Sequence, residues 1–269
     1  MQITELYQDL ELLAPAPYRN IRREDGASER EETVLVEHML DVFVNERLTM
    51  RLTCTPQYLA ELVLGRLLTE RMITGAGDVE LIYICEHGLR ARVMLSRAPE
   101  PARDFVEETP SCCTGNRTLR GDFILDGDLP PVVPIPIKDE WVFALADTFA
   151  QGTPMHRRTR GAHSCYLARA GELLFSCEDL GRHNAVDKAV GYALRQEIRL
   201  AECMLYTSGR LSADMVRKAV AAGVPVLISK AVPTTAAIAL AARYGLTLIG
   251  SSFQERYVRY TAPASMEDT

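Results

Sequence analysis

Cys203-Met204-Leu205-Tyr206-Thr207-Ser208-Gly209-Arg210 opens a stretch that continues through Val226-Leu227-Ile228-Ser229-Lys230 to Leu248-Ile249-Gly250-Ser251-Ser252, and its punctuation decides the fold. The apolar runs 203–207, 224–229 and 246–249 have strand length, and helical periodicity fills 212–222 and 233–244 between them. Strands alternating with helices of this length imply βαβ units and a sheet that is at least partly parallel. Working back from there, 183–196 reads as a helix, 173–177 and 162–168 as strands, and 139–149 as a further helix. The whole segment 138–269 therefore reads as one α/β domain.

Ahead of it, prolines at 130, 131, 134 and 136 forbid a regular helix and mark 128–137 as an extended linker. Residues 1–127 read as a smaller α+β domain. Two strand-like runs, 39–44 and 48–53, flank Asn45-Glu46 as a hairpin. Thr55-Pro56 then has the form of a helix start, and Leu59, Leu62, Val63 and Leu67 recur at helical spacing until Gly75 and Gly77. Strands are expected at 79–85 and 89–95. Residues 19–33 mix charges of both signs around Gly26 and Ser28 and are expected to form a mobile arm or solvated loop. Residues 99–121 form a long polar loop carrying Ser111-Cys112-Cys113-Thr114-Gly115-Asn116, and loops of that length in compact domains are usually functional or disordered.

Bulk properties remove several classes of function. A chain of 269 residues with 47% hydrophobic and 25% charged residues has ample material for a core. Its net charge of −6 argues against a nucleic acid as principal partner, since that binding rests on clustered Lys and Arg. The N-terminus lacks the basic start and apolar run of a secretory signal, and the apolar stretch 233–250 is interrupted by Arg243, so a cytoplasmic chain without a membrane span is expected. Seven cysteines without regular spacing point to packing residues and one or two reactive thiols rather than a disulfide framework.

In parallel βαβ units the strands deliver their C-terminal ends to one edge, outside which ligands bind. Three strand ends carry polar residues: Ser208-Gly209-Arg210, Ser229-Lys230, and Ser251-Ser252 followed by Phe253-Gln254-Glu255-Arg256. Hydroxyls, close-approaching glycine and basic side chains together suit a nucleotide or another phosphorylated ligand; the plain alternative is that these are ordinary turns. A second feature is Glu178-Asp179-Leu180-Gly181-Arg182-His183-Asn184-Ala185-Val186-Asp187-Lys188. Val186, Ala189, Val190, Ala193 and Leu194 make a core stripe, leaving Asn184, Asp187, Lys188 and Gly191 on the other face, where the glycine hints at close approach of something large. Arg182 and His183 stand at the helix start. Cys54, Cys85, Cys165, Cys177 and Cys203 lie in or beside apolar runs and read as inert packing, whereas Cys112 and Cys113 are adjacent on the long loop with Arg117 and Arg120 nearby to favour thiolate.

These motifs resemble the FdhD family of formate dehydrogenase accessory sulfurtransferases over most of the chain. The resemblance is carried by Val44-Asn45, Cys54-Thr55-Pro56 with the following Leu59-x-x-Leu62-x-x-Gly65, Thr159-x-Gly161-x-His163, the string from Glu178 to Lys188, Ser208-Gly209-Arg210 and Tyr260-Thr261. It implies a sulfur carrier that accepts sulfur as a persulfide from a cysteine desulfurase. The sulfur then passes to the molybdenum or tungsten bis(molybdopterin guanine dinucleotide) cofactor before insertion into formate dehydrogenase. It also implies a C-terminal domain of cytidine-deaminase-like fold, a homodimer, Cys112 as carrier, and Ser251 to Arg256 as cofactor-binding stretch. Two departures stand out. The family's Cys-x-x-Cys is replaced by Cys112-Cys113 with Gly115 three positions on from Cys112, and Ser251-Ser252-Phe253 stands where the family more usually has Phe-x-Arg.

A zinc deaminase would share the implied fold but needs His-x-Glu and Pro-Cys-x-x-Cys; the chain has His163-Ser164-Cys165 and no Cys-x-x-Cys, so no intrinsic metal is expected. The same absence argues against a thioredoxin-like dithiol enzyme. The remaining alternative is a chaperone that binds the guanine-containing cofactor without moving sulfur.

Overall fold

The structure is a computed structural model and describes residues 1–23, 26–96, 117–118 and 129–261. In the N-terminal half β1 (Gln2–Glu5) is followed by β2 (Leu13–Arg22), β3 (Gly26–Leu35), β4 (His38–Val44), β5 (Arg47–Cys54), α1 (Leu59–Thr69), β6 (Val79–Ile84), β7 (Arg90–Leu95) and β8 (Arg117–Thr118). The C-terminal half runs α2 (Asp139–Ala150), α3 (Pro154–Thr159), β9 (His163–Arg169), β10 (Glu172–Asp179), α4 (Arg182–Arg195), β11 (Met204–Thr207), α5 (Ala213–Ala221), β12 (Val226–Ser229), α6 (Thr235–Tyr244), β13 (Thr247–Gly250) and β14 (Val258–Thr261).

The β-α-β rhythm read from 203–249 is present. β11, β12 and β13 are parallel, Tyr206 standing opposite Ile228 and Ile228 opposite Ile249. Antiparallel neighbours extend this sheet to the order β10-β9-β11-β12-β13-β14. A second six-stranded sheet has the order β1-β6-β7-β4-β5-β8. Its β4–β5 hairpin turns through Asn45 and Glu46, both at positive φ (46° and 62°), the conformation that matches the twist of a two-residue hairpin.

Three expectations are corrected. Residues 19–33 are not unstructured: β2 and β3 form an antiparallel ribbon of ten residues per strand, with Arg19 opposite Glu29 and Tyr18 opposite Arg30. The ribbon is exposed along most of its length, so it lacks the apolar alternation by which a half-buried strand is recognised. Second, Thr55-Pro56 does not start the helix. Tyr58, at φ 57°, precedes the first helical residue, because the Thr55 N–H and hydroxyl are committed to Asp179. Third, the polar face of α4 is not turned away from the core; α1 covers it. A Cβ placed on Gly65 would lie 1.8 Å from the Asp187 carbonyl oxygen, and one on Gly191 would lie 1.8 Å from that of Glu61. The large neighbour that Gly191 admits is thus another helix.

This crossing joins the halves. One apolar cluster takes Leu40, Leu52, Leu62 and Ile82 from the first sheet and α1, and Val186, Val190, Leu205 and Leu248 from the second sheet and α4. A second cluster, with Val142, Leu145 and Phe149 of α2 against Tyr166, Tyr206 and Ile228, covers the opposite face of the second sheet. Residues 129–138 carry no regular helix or strand.

Candidate functional site

The strand directions gather the candidate residues at one edge. β9 is antiparallel to β11 with Cys165 opposite Thr207, so His163 at the start of β9 lies beside Ser208 at the end of β11. β10 brings Asp179 opposite His163, which sets the start of α4, with Arg182 and His183, at the same edge. Ser229-Lys230 and Ser251 to Arg256 follow from the ends of β12 and β13.

Hydrogen bonds wire these ends together. Ser208 Oγ accepts from the Ser164 N–H (3.1 Å) and lies 3.0 Å from His163 Nδ1. Ser229 Oγ donates to the Gly209 carbonyl (2.6 Å) and accepts from the Ala231 N–H (3.0 Å). The Ser252 N–H donates to the Ser229 carbonyl (3.0 Å), and Tyr206 OH donates to the Ser252 carbonyl (2.9 Å). Ser229 is therefore spent on holding the edge. Arg210, Phe253, Gln254, Glu255 and Arg256 are exposed, while Ser208, Lys230 and Ser251 are half-buried. Lys230 lies over the Phe149 ring and Arg256 over Phe253. Two irregularities mark the β13 end. Ser251 adopts φ 47°, uncommon for a non-glycine residue, and Ser252 Oγ is buried without a hydrogen-bond partner among the described residues.

At the α4 side the Arg182 side chain packs over Gly209, where a Cβ would meet it at 2.8 Å. His183 Nε2 is 2.5 Å from Asp214 Oδ2, and Arg182 Nη2 is 3.9 Å from the same oxygen. Burial works against the charge of Asp214, but the hydrogen bond from His183 and the nearby charge of Arg182 prevail and hold its carboxyl below the usual carboxylate range. Burial pushes His183 down, as it does His163, which also feels the positive charge of Arg182. Both imidazoles are thereby favoured neutral. Asp214 had no motif to announce it; only its place one helical residue inside α5 gives it reach to His183.

Asn184 and Lys188 sit beneath this edge. Lys188 Nζ pairs with Asp179 Oδ2 (2.7 Å) and donates to Thr55 Oγ1 (2.8 Å) and to the carbonyls of Thr55 and Glu178 (3.2 Å each). Asn184 Nδ2 donates to Asp179 Oδ1 and to the Thr53 carbonyl, both at 2.8 Å. Both side chains are fully buried and tie α4 to β5. The Glu178 carboxylate accepts from the backbone N–H groups of Met155 (2.8 Å) and His156 (2.7 Å) and from the Thr153 hydroxyl, fixing α3 beside the edge.

Cys112 and Cys113 lie outside the described residues. The five described cysteines are free, and burial pushes the thiols of Cys54, Cys165 and Cys177 well up and that of Cys203 up to about 11, the behaviour of packing residues. Among the described residues no His, Cys, Asp and Glu side chains group to hold a metal ion, and no helix is long and apolar enough to cross a membrane.

The chain is thus a mixed α/β protein that gathers polar strand ends, the start of α4 and basic side chains at a single sheet edge. Residues 35–267 match the FdhD/NarQ family, and the chain belongs to it. It is 36% identical over 262 residues to the sulfur carrier protein FdhD of Anaeromyxobacter dehalogenans, covering 88% of this chain and 89% of that one. The protein of the same name from Geobacillus kaustophilus is 32% identical over 252 residues, covering 91% and 93%. A crystal structure provisionally described as a formate dehydrogenase accessory protein from Desulfotalea psychrophila superposes with a TM-score of 0.76 at 27% identity, over 95% of this chain and all of that one.

Proposed function

We propose that this chain is a sulfur carrier serving formate dehydrogenase, holding a guanine dinucleotide form of the molybdenum or tungsten cofactor at the strand edge while sulfur is delivered to it. The observation that carries this reading is the convergence of Ser208-Gly209-Arg210, Lys230, and Ser251 to Arg256 at one edge in a chain of the FdhD/NarQ family. Gly209 brings backbone close, Arg210 and Lys230 supply positive charge for phosphate, and the exposed Phe253 offers a ring face to a base. The protein needs no metal of its own for this work.

Sulfur arrives from a cysteine desulfurase as a persulfide on Cys112. Attack by the Cys113 thiolate on the inner sulfur forms a Cys112–Cys113 disulfide, breaks the outer S–S bond and releases hydrosulfide toward the bound cofactor. A disulfide between adjacent cysteines is strained. Two equivalents of a cellular thiol, or one dithiol, reduce it by thiol–disulfide exchange and are themselves oxidised to a disulfide, which returns the pair to its starting state. Incubation with a cysteine desulfurase and cysteine, followed by intact-mass measurement, tests the assignment. Wild type and Cys113→Ala should gain one sulfur atom and Cys112→Ala none. Loading of Cys112→Ala would place the carrier elsewhere, and failure of every form to load would favour a cofactor chaperone that moves no sulfur.

A further inference from the structure

α3 and the residue after it present Arg157, Arg158 and Arg160, all exposed, in a chain of net charge −6. None of the three forms an ion pair among the described residues, although β3, with Glu29, Glu31 and Glu32, packs beside α3. The mount is rigid. Glu178 anchors the first turn of α3, and His156 Nδ1 is held 2.9 Å from the Ala162 carbonyl. Arg160 closes the helix at φ 54°, with its N–H donating to the His156 carbonyl (2.7 Å). His163 begins the next strand and lies within the field of Arg182. Positive groups thus continue from α3 past His163 to the start of α4.

From β9 to β12, whose end carries Lys230, the edge spans two strand spacings, roughly 10 Å at about 4.8 Å each. Along the chain the basic groups enter this edge at different strands, Lys230 and Arg256 after β12 and β13 and the α3 arginines before β9. We infer that Arg157, Arg158 and Arg160 form a second anion subsite at this edge, which takes a phosphate group of the ligand distant from the one held at Lys230. This rests on the phosphate-ligand reading above and narrows it to ligands carrying two separated phosphate groups. A mononucleotide fills one subsite; a dinucleotide bridges both.

The test compares wild type with Arg157→Gln/Arg158→Gln/Arg160→Asn, in which asparagine keeps a residue tolerant of positive φ at position 160. Calorimetry is run with GDP, with diguanosine tetraphosphate and with inorganic pyrophosphate. In wild type the dinucleotide should bind at least about tenfold more tightly than GDP, and the triple variant should lose that advantage while GDP affinity stays the same. Pyrophosphate should bind wild type more tightly than the variant, with a difference that shrinks as salt rises. Unchanged dinucleotide and pyrophosphate binding in the variant overturns the subsite, as does an equal loss for GDP and dinucleotide, which would mark a general field. Pyrophosphate binding that depends on the three arginines, with no GDP binding to wild type, keeps the subsite and removes the guanine reading.

Discussion

Lys188 Nζ lies 2.7 Å from Asp179 Oδ2, and both side chains are completely shielded from solvent at the junction of α4 with β5. An ion pair removed from water loses solvation that only close geometry and further hydrogen bonds restore. Here Thr55, Gly181 and Asn184 supply donors to the carboxylate, and carbonyl oxygens complete the ammonium. Lys188→Met should therefore destabilise the protein by about 3–5 kcal/mol, because it leaves a buried carboxylate without its counter-charge. Asp179→Asn should cost a similar amount. The double variant should cost less than the sum of the singles, and urea unfolding of all four forms measures that coupling. Additive losses would show that the two residues act separately.

The α1–α4 crossing gives a second test. Gly65→Ala and Gly191→Ala each drive a methyl group into a backbone carbonyl, which cannot move aside as a side-chain tip can. Each should destabilise by about 3 kcal/mol or more, at the upper end of overpacking effects. Gly77→Ala, with nothing within 4 Å of the added carbon, should stay within about 0.5 kcal/mol. Thermal or denaturant midpoints separate these outcomes, and a mild effect at Gly65 would mean that the helices part easily.

Much of this architecture was legible in the sequence and some was not, for physical reasons. The elements of the βαβ series were readable because length, apolar content and punctuation agree at each of them. The β4–β5 hairpin was readable because Asn45 tolerates the positive φ its turn needs. The β2–β3 ribbon was illegible because its strands are exposed on most positions and bury no stripe. At α4 the polar string was recognisable as special, but its use was not. Asn184, Asp187 and Lys188 look like solvent-facing residues until partners from far earlier in the chain are seen to cover them, Thr53 of β5 for Asn184, Thr55 for Lys188 and Arg66 of α1 for Asp187. Asp187 pairs there with Lys218 Nζ at 2.8 Å, a partner from yet another helix. The strand-end residues were readable individually, whereas Asp214 and the α3 arginines depend on loops whose direction no local pattern records.

The histidines set a pH dependence whose sign follows from their direction of shift. His163 and His183 have folded-state values below the unfolded value of about 6.5, so the unfolded chain binds protons that the folded chain refuses. Stability from this source is complete above pH 6.5 or so and declines as pH falls toward the folded values. Asp214 adds a loss only at much lower pH, where its depressed carboxyl takes up a proton. Urea midpoints measured from pH 7.5 to 5 should fall in wild type. The fall should be shallower in His163→Asn, which removes one of the two groups. A midpoint that is flat over this range would contradict the neutral assignment of both rings.

The ligand site yields the last test. Arg210 is exposed directly after Gly209, and Lys230 follows β12 with its ammonium 5.5 Å from the Phe149 ring centroid. A phosphate bound between these ends gains charge-assisted hydrogen bonds that water alone does not replace, so Arg210→Ala and Lys230→Ala should each weaken GDP by about tenfold. Ser252→Ala probes the same loop differently. Its buried hydroxyl has no partner among the described residues, so its removal should leave stability unchanged or slightly raised. If a ligand-induced shift of the loop brings that hydroxyl to the nucleotide, the same variant weakens binding while the unfolding midpoint holds. Calorimetry with GDP, alongside denaturant unfolding of each variant, distinguishes these effects. Absence of any GDP binding to wild type at millimolar concentration would remove the strand edge as a guanine nucleotide site.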